Sequence, residues 1–274
     1  MNMPLGTRLA CLALAAAGGA GTLPAQEAPA AGRTIEGPRI INLPSADLPA
    51  KGTLGLLFTH RFAQPLEESD WHSLFSFDSG ADIGIGLAYV PVENLEVSLD
   101  RSSIQDDWEF AAKYRFLARS EKNPFTLALR VGGNARTEVR ADRQTGFFAQ
   151  AIAAISIGPR VRITLLPTYL SRTSGQRFIP PEEDVYNLPL AVAFGITRGV
   201  NVQAELVPRR GRHGSRGTGW IAAIEKTVLR HRFAFTVGNV RTTTVDQYTA
   251  PDFFGYSPED YFIGFNLVRQ WKLK

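Results

Sequence analysis

The sequence predicts an all-β fold, namely a transmembrane antiparallel up-and-down β-barrel of about twelve strands. The first observation behind this prediction is that apolar and polar residues alternate along most of the chain, which is the period of a β-strand. The second is that the connections between these stretches alternate between short and long. The third is the final stretch, "YFIGFNLVRQWKLK", in which every second residue from Tyr261 to Leu273 is apolar or aromatic, apart from Arg269.

The alternation defines candidate strands of about ten residues, the length that crosses a bilayer at a tilt. One of them places Trp108 and Phe110 on one face and Glu109 and Lys113 on the other. The candidate strands are residues 53–63, 82–90, 94–101, 107–117, 124–132, 146–157, 160–171, 186–197, 200–208, 218–228, 231–240 and 260–272.

Alternation alone does not say which row faces outward, because a soluble lipocalin-like barrel has the same period with its apolar residues inside. Small residues, however, occupy the polar row at Gly84 to Ala88 and at Ala191 to Gly195, where a soluble surface would carry long polar side chains. A barrel of about twelve strands is also too wide for apolar side chains alone to fill. Aromatic residues near the strand ends are typical of interfacial girdles. We therefore predict that the apolar rows face lipid.

The connections indicate the orientation of the barrel. Those after the second, sixth, eighth and tenth candidate strands are tight, whereas most of the others are longer. Outer-membrane barrels have short periplasmic turns and longer outer loops, so both ends of the barrel are expected on the periplasmic side.

The beginning of the chain predicts export. Arg8, an apolar run and small residues form a secretory signal peptide over residues 1–25, with cleavage after Ala25 or Ala30. Residues 26–52 are expected to be a periplasmic N-terminal segment, and 53–274 the outer-membrane barrel. The single cysteine, Cys11, lies in the signal peptide, so the mature chain is expected to have no thiol.

Several stretches resemble a known family. They are "INLPSADLPAKGTLGLLFTHRF", "SLFSFDSGADIGIGL", "LEVSLDRSS", "EFAAKYRF", "RHRFAFTVGNVRTTT" and the final "FIGFNLVRQW". Together they are similar to the membrane-bound β-barrel proteins of unknown function 5777 of Gram-negative bacteria. The resemblance covers nearly the whole mature chain, and it implies a barrel without implying an activity.

With the apolar rows against lipid, acidic and basic residues in equal number face the lumen. They are Asp82, Glu96, Asp100, Glu109, Glu205 and Glu225, against Arg61, Lys113, Arg115, Arg130, Arg162 and Arg232. An ion-selective pore is expected to carry one dominant sign of charge. Buried charges of both signs are instead expected to form ion pairs, because a buried charge without a partner costs free energy. We predict a narrow lumen crossed by ion pairs and closed to ions at rest, with a pocket beside the small residues named above.

Local motifs for catalysis or metal binding are weak. His60, His72, His213 and His231 form no metal-binding motif, and we interpret His60 and His231 as residues of the barrel rims. His213 and Ser215 lie in a Gly- and Arg-rich loop that offers no rigid frame for a nucleophile and its base. No cofactor is expected, and the chain is not expected to be an enzyme.

Charged loops leave two interpretations open. Arg209, Arg210, Arg212 and Arg216 could pair with lipopolysaccharide phosphates, although a solvated loop is the favoured interpretation. Acidic clusters at 67–70 and 182–184 lack the spacing of a calcium loop. The net charge of +4 is spread along the chain, which argues against nucleic-acid binding. The expected partners are outer-membrane lipid, lipopolysaccharide and the barrel assembly machinery.

Three functional hypotheses follow. The first is a channel or transporter for small solutes or apolar compounds. The second is a structural or interaction barrel with a filled lumen and no flux. The third is an outer-membrane lipid-modifying enzyme, which would need a nucleophile and base held rigidly.

Overall fold

The computed structural model describes residues 37–138, 144–173, 183–210, 216–249 and 260–273 of the chain. Its strands are β1 (Thr53–Phe62), β2 (Ala81–Val92), β3 (Leu95–Ser102), β4 (Asp107–Leu117), β5 (Phe125–Arg136), β6 (Gln144–Ile157), β7 (Val161–Leu165), β8 (Thr168–Thr173), β9 (Glu183–Asn187), β10 (Leu190–Thr197), β11 (Val200–Arg210), β12 (Arg216–Val228), β13 (His231–Gly238) and β14 (Phe262–Lys272). Short 3-10 turns cover Leu66–Glu68, Leu74–Ser76 and Ile104–Asp106, and the helix α1 covers Val245–Thr249. No helix in these described ranges is long and apolar enough to cross a membrane.

The strands form one closed antiparallel barrel. Outside β7 to β10, each strand pairs with its neighbours along the chain, and β14 pairs with β1 from Lys272 opposite Thr53 to Gly264 opposite Arg61. Both β7 and β8 pair with β6; on their other sides, β7 pairs with β10 and β8 pairs with β9. The barrel has 12 strands because β7 with β8, and β9 with β10, are two strands that are each interrupted once. Pro167 and Pro189 lie at the interruptions, where a residue without a backbone N–H cannot complete the ladder. The predicted fold class is therefore confirmed.

The apolar rows face outward, as predicted. On β4, Phe110 is 59% exposed on the outer face, whereas the neighbouring Glu109 is fully buried on the inner face. The same alternation runs along β1, β5, β10 and β13. A barrel with exposed aromatic residues and buried charges is stable only if lipid surrounds it.

The connections at the two ends of the barrel differ in length. The end that holds the start of β1 has turns of two or three residues at 93–94, 158–160, 198–199 and 229–230, and one of seven at 118–124. The opposite end has the longest connections, residues 63–80 and 239–261. By the rule for outer-membrane barrels, the first end faces the periplasm and the second faces outward.

Deleting residues 261–274 is expected to abolish insertion into the membrane. Without β14, both β1 and β13 present an unpaired edge, and each unpaired backbone group in the hydrocarbon costs several kcal/mol. Heat-modifiable migration on gels measures this, with the exposed Lys272→Gln as a control that should migrate as the parent does. A deletion variant that still gives the folded band would contradict the prediction.

Candidate functional site in the lumen

Residues 37–46 of the predicted periplasmic segment lie inside the barrel. Residues 37–46 are all buried and contact inward-facing wall residues such as Glu205 and Asn266. The segment turns back on itself, since Ile40 N donates to Leu43 O (2.8 Å) and Ser45 N donates to Pro38 O (3.1 Å). The predicted bounds of the segment, residues 26–52, stay a prediction, while its residues 37–46 lie in the lumen. A segment in a closed lumen is surrounded by wall on all sides, so it carries no alternating pattern that could have located it.

The carboxylate of Glu205, on β11, holds the tip of this turn. It accepts hydrogen bonds from the backbone N–H groups of Ile41 (2.7 Å), Asn42 (3.0 Å) and Leu43 (3.0 Å). Successive N–H groups that point into one concavity form an anion-binding nest, and here the anion is a side chain of the wall. Glu205 is itself buried.

Arg39 fixes the other limb of the turn. Its Nη2 lies 2.8 Å from Asp100 Oδ2 and 3.7 Å from Glu109 Oε1, both on the wall. Its Nη1 donates to Asn42 O at 2.9 Å. Burial by itself lowers the pKa of Arg39, but Asp100 and Glu109 outweigh it and raise that pKa above its usual value. The guanidinium therefore stays charged inside the lumen.

A second segment, residues 239–249, folds into the lumen from the outer end. Within it, Asp246 Oδ2 accepts a hydrogen bond from Arg136 Nε (2.8 Å), and the Tyr248 hydroxyl accepts one from Gln150 Nε2 (3.0 Å). Burial raises the pKa of Tyr248 above its usual value, so its hydroxyl stays neutral. The longest outer connection thus supplies a second filling element.

The two segments meet at Glu109 and Arg39. Glu109 Oε2 accepts the backbone N–H of Val245 (2.6 Å), while its Oε1 pairs with Arg130 and faces Arg39. Arg39 Nη1 also donates to Thr243 O (3.0 Å), which joins the N-terminal segment to the outer one directly. One buried carboxylate therefore contacts both filling elements.

Three pairs join predicted lumen residues directly. They are Lys113 with Glu96 (2.9 Å), Arg232 with Glu225 (2.6 Å), and Arg130 with Glu109. The other six predicted residues find partners that the sequence did not indicate. Three of them form ion pairs: Asp100 with Arg39, Asp82 with Arg241, and Arg162 with Asp47. The other three form hydrogen bonds: Arg115 with Asn94, Arg61 with Asn42 and Asn266, and Glu205 with backbone N–H groups.

Sequence reasoning missed Arg39, Asp47, Arg241 and Asp246. All four belong to the two filling segments, which are irregular except for the single short helix α1, where Asp246 lies. The one available signal was the surplus of charge on the inward rows, because buried charges require partners from somewhere.

Apolar contacts accompany the polar ones. Ile40, Ile41 and Leu43 belong to one buried cluster with Tyr248 and with wall residues such as Ile221. Ala191 and Ala193 are buried, and Ala191 belongs to this cluster, so small wall residues make room for the filling segments there.

A small cavity lies between the N-terminal segment and the wall. It has room for about one or two water molecules and lies beside Gly86, Ala88 and Ser98 of the wall and the segment residues Pro38 and Pro44. A Cβ at Gly86 would lie 2.1 Å from Asp100 Oδ1, so this glycine lets the carboxylate of Asp100 approach the wall closely.

The remaining sequence candidates lie apart from this site. His60 points outward and stacks on Phe265 with ring centroids 4.9 Å apart, and His231 stacks on Phe233 at 5.9 Å. His213 and Ser215 fall outside the described residues, so the enzyme hypothesis stays a prediction. Within the described ranges, no group of three or more His, Cys, Asp and Glu residues is arranged to hold a metal ion.

Comparisons with known proteins agree with this architecture. A family model described as a membrane bound beta barrel domain (DUF5777) matches residues 36–271. It confirms the resemblance noted in the sequence and the predicted location in the bacterial outer membrane. Among curated proteins, none matches this chain.

Solved outer-membrane proteins share the fold at low identity. The COG4313 outer membrane channel from Pseudomonas putida F1 gives a TM-score of 0.51 at 11% identity, over 82% of this chain and 97% of that one. Outer membrane phospholipase A from Escherichia coli gives 0.44 at 12% identity, over 79% of this chain and 89% of that one. Likeness at this level shows the fold alone, since one fold hosts many functions.

Proposed function

The chain belongs to the DUF5777 family of membrane-bound β-barrel domains, and from that premise we propose that it is a gated outer-membrane channel for small polar solutes, closed by residues 37–50. The observation that carries the proposal is how this segment is attached. Among the described residues 37–49, backbone-to-backbone hydrogen bonds stay within the segment, while its bonds to the wall use side chains. The segment can therefore leave without opening the barrel sheet.

The point of attachment supports withdrawal toward the periplasm. Residues 50–52 lead directly into β1 at the end of the barrel that carries the short turns. Lys113 Nζ, which donates to Ser45 O at 3.0 Å, and Arg162, which pairs with Asp47 at 3.0 Å, hold the outgoing limb. A segment anchored at the periplasmic rim would move out on that side and remain tethered.

The wall that withdrawal would uncover suits polar solutes. Its inward rows carry both signs of charge, including Arg61, Lys113, Glu96 and Glu205. Such a surface has no electrostatic potential of one dominant sign. It is therefore better suited to neutral or zwitterionic polar solutes than to ions of one sign.

Planar-bilayer recording tests the proposal. We expect the mature chain to be closed for most of the recording and a variant lacking residues 37–50 to show steady single-channel current. Heat-modifiability serves as the check that the variant still forms a barrel. A folded deletion variant without current would contradict the proposal that residues 37–50 alone close a channel, since residues 239–249 would then keep the lumen filled. An intact chain with a large permanent conductance would contradict the gate.

The apolar cluster favours a second candidate, a barrel filled permanently for a structural or interaction role. Ile41, Leu43 and Tyr248 are fully buried, and burying an Ile or Leu side chain stabilises the filled state by about 1.5–3 kcal/mol. Absence of current from the folded deletion variant would favour this candidate.

A further inference from the structure

Residues 63–80, which connect β1 to β2 at the outer end, expose four large apolar side chains. Trp71 is 67% exposed, Leu74 60%, Phe75 59% and Phe77 52%. Exposed apolar side chains clustered on one connection mark an interaction site, whereas scattered ones do not.

The contacts of Phe77 continue the lipid-facing surface of the barrel. Its ring lies 5.1 Å from that of Phe62, the last residue of β1. Phe62 in turn lies 4.5 Å from His60, which stacks on Phe265 of β14 on the outer face. The apolar surface of the connection is therefore an extension of the surface that the hydrocarbon already covers.

The connection is held in this position at both ends. Leu66 N donates to Tyr261 O (2.7 Å), and Ala63 N donates to Gly80 O (2.7 Å). Between these points, Leu74, Phe75 and Ser76 all have positive φ, at 47°, 53° and 76°. Consecutive left-handed residues other than glycine cost of order 1–3 kcal/mol each, and they occur where the conformation has a function.

Two of the four acidic residues of the connection stabilise its own structure. Asp70 Oδ1 accepts the backbone N–H of His72 (2.8 Å), and Glu67 Oε2 accepts that of Tyr261 (3.2 Å). The described connection offers no Lys or Arg to lipid phosphates. The chemistry it presents is apolar and aromatic, which fits acyl chains and not anionic headgroups.

We propose that residues 71–77 form an anchor that inserts into the acyl-chain layer of the outer leaflet, beside β1 and β14. Aromatic side chains at the boundary between hydrocarbon and headgroups are favoured there by their apolar bodies and polar edges. The anchor would fix the outer rim of the barrel at the seam where its first and last strands meet. It does not depend on whether the lumen conducts.

Tryptophan fluorescence in liposomes tests the anchor. One variant keeps Trp71 and replaces the other three tryptophans with Phe; a matched variant keeps only Trp108, which lies on the lipid-facing row of β4. With brominated phospholipids, we expect both to show blue-shifted emission and comparable quenching. Heat-modifiability checks that both are folded.

Two results would overturn the proposal. The first is emission of Trp71 at the wavelength of a water-exposed indole, with no quenching by brominated lipid. The second is blue-shifted emission without lipid quenching together with crosslinked dimers, which would assign the surface to a second copy of the chain.

Discussion

Replacing Glu205 with Ala is expected to release residues 37–50 from the lumen. The substitution leaves the N–H groups of Ile41, Asn42 and Leu43 without their acceptor. Hydrogen bonds to a charged group contribute about 1.5–3 kcal/mol each, so we expect the closed state to lose about 3 kcal/mol or more. That loss raises the released population by roughly a hundredfold, since about 1.4 kcal/mol corresponds to a factor of ten. Limited trypsin digestion after Arg39, which is buried in the closed lumen, measures the release.

The matched control is Glu205→Gln. Its amide oxygen still accepts N–H hydrogen bonds but lacks the charge. The rate of trypsin cleavage after Arg39 should therefore lie between the rates for the parent and for Glu205→Ala. If Glu205→Ala were as resistant to trypsin as the parent, the N–H nest would not be what holds the segment.

Replacing Glu109 with Ala is expected to cause the largest loss of stability of any single substitution in the lumen. It leaves Arg130 without its carboxylate, weakens the site of Arg39 and removes the acceptor of Val245 N. Removing one partner of a buried ion pair destabilises by about 3–5 kcal/mol, because the other charge stays buried and unpaired. Urea unfolding of the reconstituted protein, followed by tryptophan fluorescence, measures the loss.

A double-mutant cycle shows whether Glu109 acts through both segments. We expect Glu109→Ala to cost less in a chain that already lacks residues 37–50, because Arg39 is then absent. Equal costs in the two backgrounds would mean that Glu109 does not couple the N-terminal segment to the outer one. Glu109→Gln should be milder than Glu109→Ala, as it keeps an acceptor for Val245 N.

The sequence was sufficient to predict the strands of the barrel wall. Each predicted strand corresponds to an observed one within a few residues, because a wall between lipid and a polar lumen forces side chains of opposite character to alternate, as Glu109 and Phe110 do. The interruptions at Pro167 and Pro189 did not disturb the period, since the residues on either side keep their faces.

The contents of the lumen were not predictable in the same way. Apart from the five residues of α1, residues 37–50 and 239–249 are irregular segments that contact the wall on several sides, so no period marks which of their residues face inward. The charges of the wall were predicted, but Asp100 and Arg162 pair with Arg39 and Asp47, and neither partner stood out among the Pro-, Ala- and Gly-rich residues of its segment. Pairing between distant segments depends on the tertiary arrangement alone.

The most direct test of the account is the accessibility of Ile41 in the folded protein. The mature chain is expected to contain no cysteine, so Ile41→Cys provides a single thiol at a position that is 1% exposed. Lys51→Cys, at the exposed position that directly follows residues 37–50, is the control. With a membrane-impermeant maleimide, we predict that position 41 reacts at least about tenfold more slowly than position 51, a ratio that corresponds to about 1.4 kcal/mol of protection. Adding Glu205→Ala should remove most of that difference. Equal labelling rates at positions 41 and 51 in the otherwise unaltered chain would contradict the claim that the N-terminal segment closes the lumen.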